Sequence, residues 1–148
     1  MDVITEFYKL AKEYCQFISD TEISIQSAPA LMELLMKLYM DAQKLPERDP
    51  ETEGSSSLMT NTQLNVHISS EISPHYWLVY DPTSKEEPVC GDLTDDLSDI
   101  AKDLMDGIIE YDAGNIGNAI FEWKLGLDYH WGIHLLDAVR YLHWIKKE

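Results

Sequence analysis

Basic residues are scarce in this sequence. The 148-residue chain has 11 lysines and arginines against 27 aspartates and glutamates, which gives a formal net charge of −16 at pH 7. A surface of this sign repels the phosphates of nucleic acids and of anionic membranes. We therefore expect neither nucleic acid nor a membrane as a partner, and a basic protein as the most compatible one.

Paired cysteine motifs, long hydrophobic runs and catalytic signature motifs are also missing. The two cysteines, Cys15 and Cys90, lie far apart and form no CxxC pair, which favours a reducing, cytoplasmic compartment over a disulfide scaffold. The N-terminal stretch has acidic residues and no long apolar run, so we expect neither a signal peptide nor a transmembrane span. A nucleophile elbow, a phosphate-binding loop and a dinucleotide fingerprint are all absent from the sequence.

The apolar residues present are enough for one packed core. They make up 45% of the chain, and the length fits a single domain spanning 1–148. Apolar side chains recur at three- and four-residue steps, which predicts an all-α fold, an irregular bundle of about five helices. We expect these helices at about 2–19, 30–44, 60–72, 94–112 and 115–146.

Two of the expected helices have special features. The helix at 30–44 is apolar over more than half its circumference and is expected to be the most buried, with Met32, Met36 and Met40 filling the core. The segment 115–146 keeps one apolar phase throughout. It is therefore either one long C-terminal helix or two collinear helices kinked near Gly132.

The middle of the chain is the least regular part. Residues 46–57 are polar and proline-containing, which predicts a mobile loop. The segment 60–72 alternates like a strand at Leu64, Val66 and Ile68, but good capping residues before it and a proline after it favour a short helix. We expect 76–80 to be an extended segment lying across the helices and 85–91 to be a loop.

Two histidines near the centre of the last helix form a candidate metal site. His130 and His134 are one turn apart, and Asp137 follows three residues later. Helical bundles present divalent metal sites with this spacing, and Asp96 or Asp103 could supply a fourth ligand. The sequence lacks the glutamate of the HExxH zinc-protease motif. The sequence favours a structural pair of histidines, hydrogen-bonded to Asp137, Tyr129 or the backbone. We therefore expect no cofactor. A divalent metal is the alternative.

The helix at 94–112 has an acidic stripe, which is a candidate docking surface. Asp99, Asp103, Asp106 and Glu110 follow one another at steps of four, three and four, nearly opposite the apolar stripe. The spacing does not match a calcium-binding loop. Like charges at these steps cost only a few tenths of a kcal/mol per pair, so a solvated face without function is sufficient to explain the stripe. The functional alternative is docking of a basic partner, which electrostatic attraction would accelerate.

The part of the chain from Tyr76 to Trp144 resembles a bacterial family known only as a domain of unknown function. The resemblance rests on the motifs DDLSDI at 95–100, HWGIH at 130–134 and AVRYLH at 138–143. Members of that family are small, single-domain, mostly helical proteins, so the resemblance implies an all-helical fold. It implies no activity.

Two functions from different classes remain. The first is a non-catalytic cytoplasmic binding protein, an adaptor or antagonist that docks a basic protein on the acidic stripe. The second is a metal-binding helical bundle with a His130, His134 and Asp137 site suited to hydrolysis. The sequence favours the first, so we do not expect an enzyme. It leaves the oligomeric state open, a dimer included.

Overall fold

The computed structural model describes residues 2–50 and 64–145. Within these residues it contains five α-helices and one two-stranded antiparallel sheet, in the order α1 (Val3–Asp20), α2 (Ala28–Gln43), β1 (His75–Leu78), β2 (Val89–Asp92), α3 (Leu93–Asp112), α4 (Ile116–Tyr129) and α5 (Trp131–Ile145). The predicted all-α bundle is confirmed. No helix in this part of the chain is both long enough and apolar enough to cross a membrane.

Helix α3 joins the other elements of the core. It packs against α1, α4 and α5, and its apolar stripe, which includes Leu97 and Leu104, is buried. The Tyr14 hydroxyl of α1 donates to the carbonyl of Leu97 at 2.8 Å, and the Trp123 indole of α4 donates to the carbonyl of Leu104 at 3.1 Å. These bonds satisfy buried polar groups of large aromatic side chains, so they fix the rotation of α1 and α4 about α3.

The ends of α3 follow from local sequence. The Asp92 side chain caps its first turn by accepting from the amide of Thr94 at 2.8 Å. After the helix, Gly114 adopts the left-handed conformation with φ +88°, as expected for a residue that ends a helix. The boundary predicted at 94–112 therefore differs from the observed one by a single residue.

The prediction that the second helix is the most buried is wrong. Nine residues of α3 are buried against six of α2, and Met36 and Met40 of α2 are exposed. The wide apolar surface of α2 is therefore only partly covered by α1, α4 and α5.

The predicted helix at 60–72 is also wrong over the residues that the structure describes. Residues 64–72 contain no helix. Ile68 forms a parallel bridge with Ile23, and the amide of Ile23 donates to the carbonyl of His67 at 2.7 Å. A backbone partner that is distant in sequence thus selects the alternating pattern over the helical one. The mobile loop predicted at 46–57 lies outside the described residues from position 51 onward.

The segments 76–80 and 85–91 form a hairpin in place of an isolated extended segment and a loop. Strand β1 pairs with β2 in antiparallel register, with Tyr76 opposite Gly91. A Cβ on Gly91 would lie 2.5 Å from the Tyr76 ring, so glycine is required for the close approach of the two strands. The hairpin leads directly into the capped start of α3.

The long C-terminal helix is divided into α4 and α5 by a break at His130. The backbone of His130 leaves the helical region with φ −145° and ψ −82°. Its amide still donates to Gly126 at 2.8 Å, and its carbonyl accepts from the amide of His134 at 3.2 Å. The same residue therefore ends one helix and starts the next, two residues before the predicted kink at Gly132.

Gly132 allows this break because α5 begins in contact with the last turn of α4. A Cβ at position 132 would lie 1.9 Å from the Leu127 carbonyl oxygen.

We expect Gly132→Ala to lower the free energy of unfolding by about 2 kcal/mol because backbone must move to relieve the overlap. An unobstructed Gly→Ala change in a helix stabilises by up to about 1 kcal/mol, so chemical denaturation distinguishes the two cases by sign. Leu136→Ala, at an exposed position of α5, is the control and should have little effect.

Candidate functional site

One face of α3 meets the junction of α4 and α5 through carboxylate–imidazole contacts. Nδ1 of His134 lies 2.7 Å from Oδ1 of Asp96. Asp96 is only 4% exposed, and its second oxygen accepts from the Tyr76 hydroxyl of β1. The Asp96 hydrogen bond raises the pKa of His134 above its ordinary value, although burial acts in the opposite direction. The buried carboxylate is thereby compensated by two donors from two other elements.

A second contact of the same kind lies two turns further along α3. Nδ1 of His130 is 2.6 Å from Oδ2 of Asp103. Burial raises the pKa of Asp103, and the hydrogen bond from His130 partly offsets this. The two imidazole rings are edge to face, with centroids 4.8 Å apart. Asp96 and Asp103 thus orient two adjacent histidines on a helix junction that leaves His130 half-exposed.

A third carboxylate completes the group. Oδ2 of Asp99 lies 3.3 Å from Nε2 of His134, on the side of the ring away from Asp96. Asp99, His130 and His134 each offer one ligand atom, and these atoms lie within 4.8 Å of one another. We call these three residues the His–Asp cluster. Among the described residues, it is the one group of three or more such side chains close enough to share a metal ion.

The protonation of the imidazoles follows from their partners. An ionised carboxylate can only accept a hydrogen bond, so Nδ1 of each ring bears the proton. When such a ring is neutral, its lone pair is on Nε2, which is a metal-ligating atom. Because the pKa of His134 is raised, a metal ion that binds there must displace a proton more often than at an ordinary histidine. Histidines that bind metals commonly donate their other ring N–H to a carboxylate in this way. Asp96 and Asp103 therefore orient the rings, whereas the His–Asp cluster holds the side-chain atoms that a metal ion could bind.

Asp137, the carboxylate that the sequence spacing suggested as a ligand, is not a member of the His–Asp cluster. Burial raises the pKa of Asp137 to about 6, and the negative charge of Asp96 adds to this effect. Its side chain lines a groove between α5 and β1. The structure thus brings together His130 and His134 as expected and pairs them with Asp99, from the acidic stripe.

The acidic stripe does not lie on a solvated face. Glu110 is 3% exposed and accepts from the side-chain amides of Asn115 at 3.0 Å and Asn118 at 3.2 Å, so its predicted place on an exposed docking surface is wrong. Asp99 and Asp103 contact the histidines. Asp106 lies beside a cavity of about 240 Å³ between α3 and α4. On the surface of α3, the acidic stripe lies next to the buried apolar side chains. It therefore faces α4 and α5 in place of solvent.

Two functional residues were missed by reasoning from the sequence. Asp99 was assigned to docking, and Tyr76 was predicted only as part of an extended segment across the helices, although both contact the histidines or their carboxylate partners. A signal was present for Asp99, since Asp96, Asp99 and Asp103 follow the same helical period as the histidines they face. No local pattern points to Tyr76, whose contact depends on the hairpin.

Comparisons with known proteins support the fold and give no activity. A family model described as "Domain of unknown function (DUF5063)" matches residues 1–148, which extends the resemblance seen at 76–144 to the whole chain. The crystal structure of protein BF1032 from Bacteroides fragilis is similar with a TM-score of 0.71 at 19% identity, covering 100% of this chain and 97% of that chain. At this identity the likeness shows the fold alone. Comparison with curated proteins finds no match.

The charge of Asp106 opposes folding, which leads to a prediction. Burial, together with the charges of Asp103 and Glu122, raises the pKa of Asp106 to about 6. A carboxyl with a raised pKa binds its proton more tightly in the folded protein, so its destabilising effect develops as pH rises from about 4 to about 6 and then stays constant. We expect Asp106→Asn to stabilise the protein by about 1 kcal/mol at pH 7.5, a value discounted for solvent screening of a half-exposed group.

The same substitution should have little effect near pH 4, where the carboxyl is protonated in the folded state and only partly ionised in the unfolded state. Urea unfolding at the two pH values measures the difference. Asp128→Asn, at an exposed position of α4, is the matched control and should change stability little at either pH. Equal stabilisation by Asp106→Asn at both pH values would contradict the assignment.

Proposed function

The chain belongs to the DUF5063 family, and we propose that it binds one divalent transition-metal ion through Asp99, His130 and His134. The observation that carries this proposal is the arrangement of the two rings, each held at Nδ1 by a carboxylate, with Nε2 of His134 facing Asp99. Two imidazoles and one carboxylate form a donor set that suits zinc, iron or manganese.

The distances support the proposal. Two atoms bound to one ion at about 2.1 Å and a tetrahedral angle lie roughly 3.4 Å apart. The observed separation of 3.3 Å between Nε2 of His134 and Oδ2 of Asp99 is close to this value. The third ligand atom, from half-exposed His130, lies within 4.8 Å of the others, so a small side-chain movement brings it into range.

The number of ligands in the His–Asp cluster favours a catalytic metal site over a structural one. Structural zinc sites are closed by four protein ligands, whereas catalytic sites have three and keep a position for water or substrate. The His–Asp cluster has three ligands. An ion there would make a bound water acidic enough to act as a nucleophile near neutral pH, which is consistent with the hydrolytic alternative.

Docking of a basic partner on the acidic stripe has weaker support. Glu110 is buried and Asp103 is bonded to His130, so only part of the stripe is available to a partner. The location in a bacterial cytoplasm, expected from the cysteine pattern and the family resemblance, remains part of the proposal.

The proposal predicts stoichiometric binding of zinc by protein purified without a histidine tag. We expect about one equivalent by calorimetric titration, and we expect Asp99→Asn and His134→Ala each to weaken binding by at least a hundredfold. Excess zinc at about 100 times its dissociation constant should stabilise the protein by about 2.7 kcal/mol, which raises its melting temperature.

Two controls make the test specific. His143→Ala removes an exposed histidine of α5, and Asp137→Asn removes the carboxylate outside the cluster; both should bind zinc as the unmodified chain does. Loss of binding in Asp137→Asn but not in Asp99→Asn would overturn the ligand assignment. Binding far below one equivalent, with a melting temperature independent of zinc, would show that the histidines are structural.

A further inference from the structure

A groove between β1 and α5 is a second feature with the form of a binding site. It encloses about 390 Å³ and is lined by all four residues of β1 and by one face of α5, formed by Asp137, Arg140, Tyr141 and Trp144. Its size falls within the range of ligand-binding clefts. Side chains from both faces of β1 line it and none from β2 does, so the groove runs along the strand edge opposite to β2.

This edge carries backbone groups without a strand partner. In an antiparallel pair, alternate residues direct their N–H and C=O toward the partner strand. The Pro74 carbonyl accepts from the Leu93 amide. The backbone polar groups of Pro74, Tyr76 and Leu78 therefore point toward β2. The amide and carbonyl of His75 therefore point away from β2. Both are hydrogen-bonded to the Ser73 hydroxyl, which accepts from the amide and donates to the carbonyl.

The backbone amide and carbonyl of Trp77 also point away from β2, as those of His75 do. No other described residue forms a hydrogen bond with this outward amide or carbonyl. A short stretch of strand edge is thus available to an extended chain, which is the usual geometry of peptide binding by β-strand addition. Backbone groups without partners are also the features that lead an edge strand to pair with another chain.

The side chains around this edge favour a peptide over a small polar molecule. Trp77 is 75% exposed and Trp144 is 55% exposed, while the rings of Tyr76 and Tyr141 are stacked with centroids 4.7 Å apart. Large aromatic groups exposed together around a concave surface are characteristic of interaction sites. A strand laid along β1 would direct alternate side chains toward the sheet face that carries Trp77 and toward α5.

The charge of the occupant follows from the surface of the protein. Asp137 and Arg140 are the groove's two residues of opposite formal charge and largely cancel one another. The long-range field is therefore determined by the net charge of −16 of the chain, which attracts basic segments and accelerates their association.

We propose that an extended, basic segment of a partner protein binds in this groove as a third strand, hydrogen-bonded to the outward amide and carbonyl of Trp77 and flanked by Trp144 of α5. The argument for this proposal does not rest on metal binding by the His–Asp cluster.

The test uses a short acetylated peptide of alternating valine and lysine, labelled for fluorescence anisotropy. We expect saturable binding by the unmodified chain and at least tenfold weaker binding of the matching valine–glutamate peptide. Two N-methylated forms of the valine–lysine peptide separate strand addition from charge attraction, because methylation on one alternate set of residues removes the amides that face β1, and methylation on the other set does not. We expect one methylated form to bind and the other to lose binding at least tenfold.

Variants of the protein provide a second test. Trp77→Pro removes the outward amide and leaves the bonds to β2 intact, so it should abolish peptide binding while the circular dichroism spectrum stays helical. Trp77→Ala keeps the amide and should bind more weakly than the unmodified chain but more tightly than Trp77→Pro. Equal binding of the two methylated peptides, or of the glutamate peptide, would overturn the proposal, even if Trp77→Pro failed to fold.

Discussion

A carboxylate removed from water must be compensated by hydrogen-bond donors, and Asp96 places this constraint at the centre of the molecule. It projects from α3, is buried, and accepts from His134 of α5 and from Tyr76 of β1. Removal of either donor would leave a buried charge less compensated, at a cost of several kcal/mol for a fully unpaired group. Three elements that are distant in sequence are therefore held in one arrangement.

The two candidate binding surfaces are adjacent because Asp96 is hydrogen-bonded to one residue of each, His134 and Tyr76. The His–Asp cluster lies on one side of Asp96, through His134. The groove between β1 and α5 is connected to Asp96 on the other side by Tyr76. The Tyr76 hydroxyl donates to Asp96, and its ring stacks on Tyr141. A ligand that moves Tyr76 would change the environment of the carboxylate that orients His134. Neighbouring sites that share a bonded network are often energetically coupled.

Most of the helices could be predicted from the sequence, because their apolar period and their caps are local. The start and end of α3 follow from Asp92 and Gly114. The alternation of Leu64, Val66 and Ile68 was visible in the sequence but could not be preferred over a short helix, because the choice depends on the bridge between Ile23 and Ile68. A kink near Gly132 was one of two alternatives that the sequence left open, because the apolar phase continues from α4 into α5. The break lies at His130, and the close approach of Gly132 to the Leu127 carbonyl accompanies it.

The candidate site was predicted in part for the same reason. His130 and His134 are visible as a pair in the sequence because one helical turn separates them. Their carboxylate partners come from α3, and the identity of the third ligand depends on which side chains of α3 face the junction. Helical spacing within one element favoured Asp137, whereas packing between two elements brings Asp99 to Nε2 of His134.

The central claim is that Asp96 and Asp103 hold both rings with the proton on Nδ1, which leaves the lone pair of each neutral ring on Nε2 for a metal ion. A long-range proton–nitrogen correlation spectrum of the histidine side chains near pH 8 tests it most directly. The account predicts the Nδ1–H tautomer for His130 and His134 and a shift of both Nε2 signals when zinc is added. The Nε2–H tautomer in either ring, or Nε2 signals that zinc leaves unchanged, would contradict it.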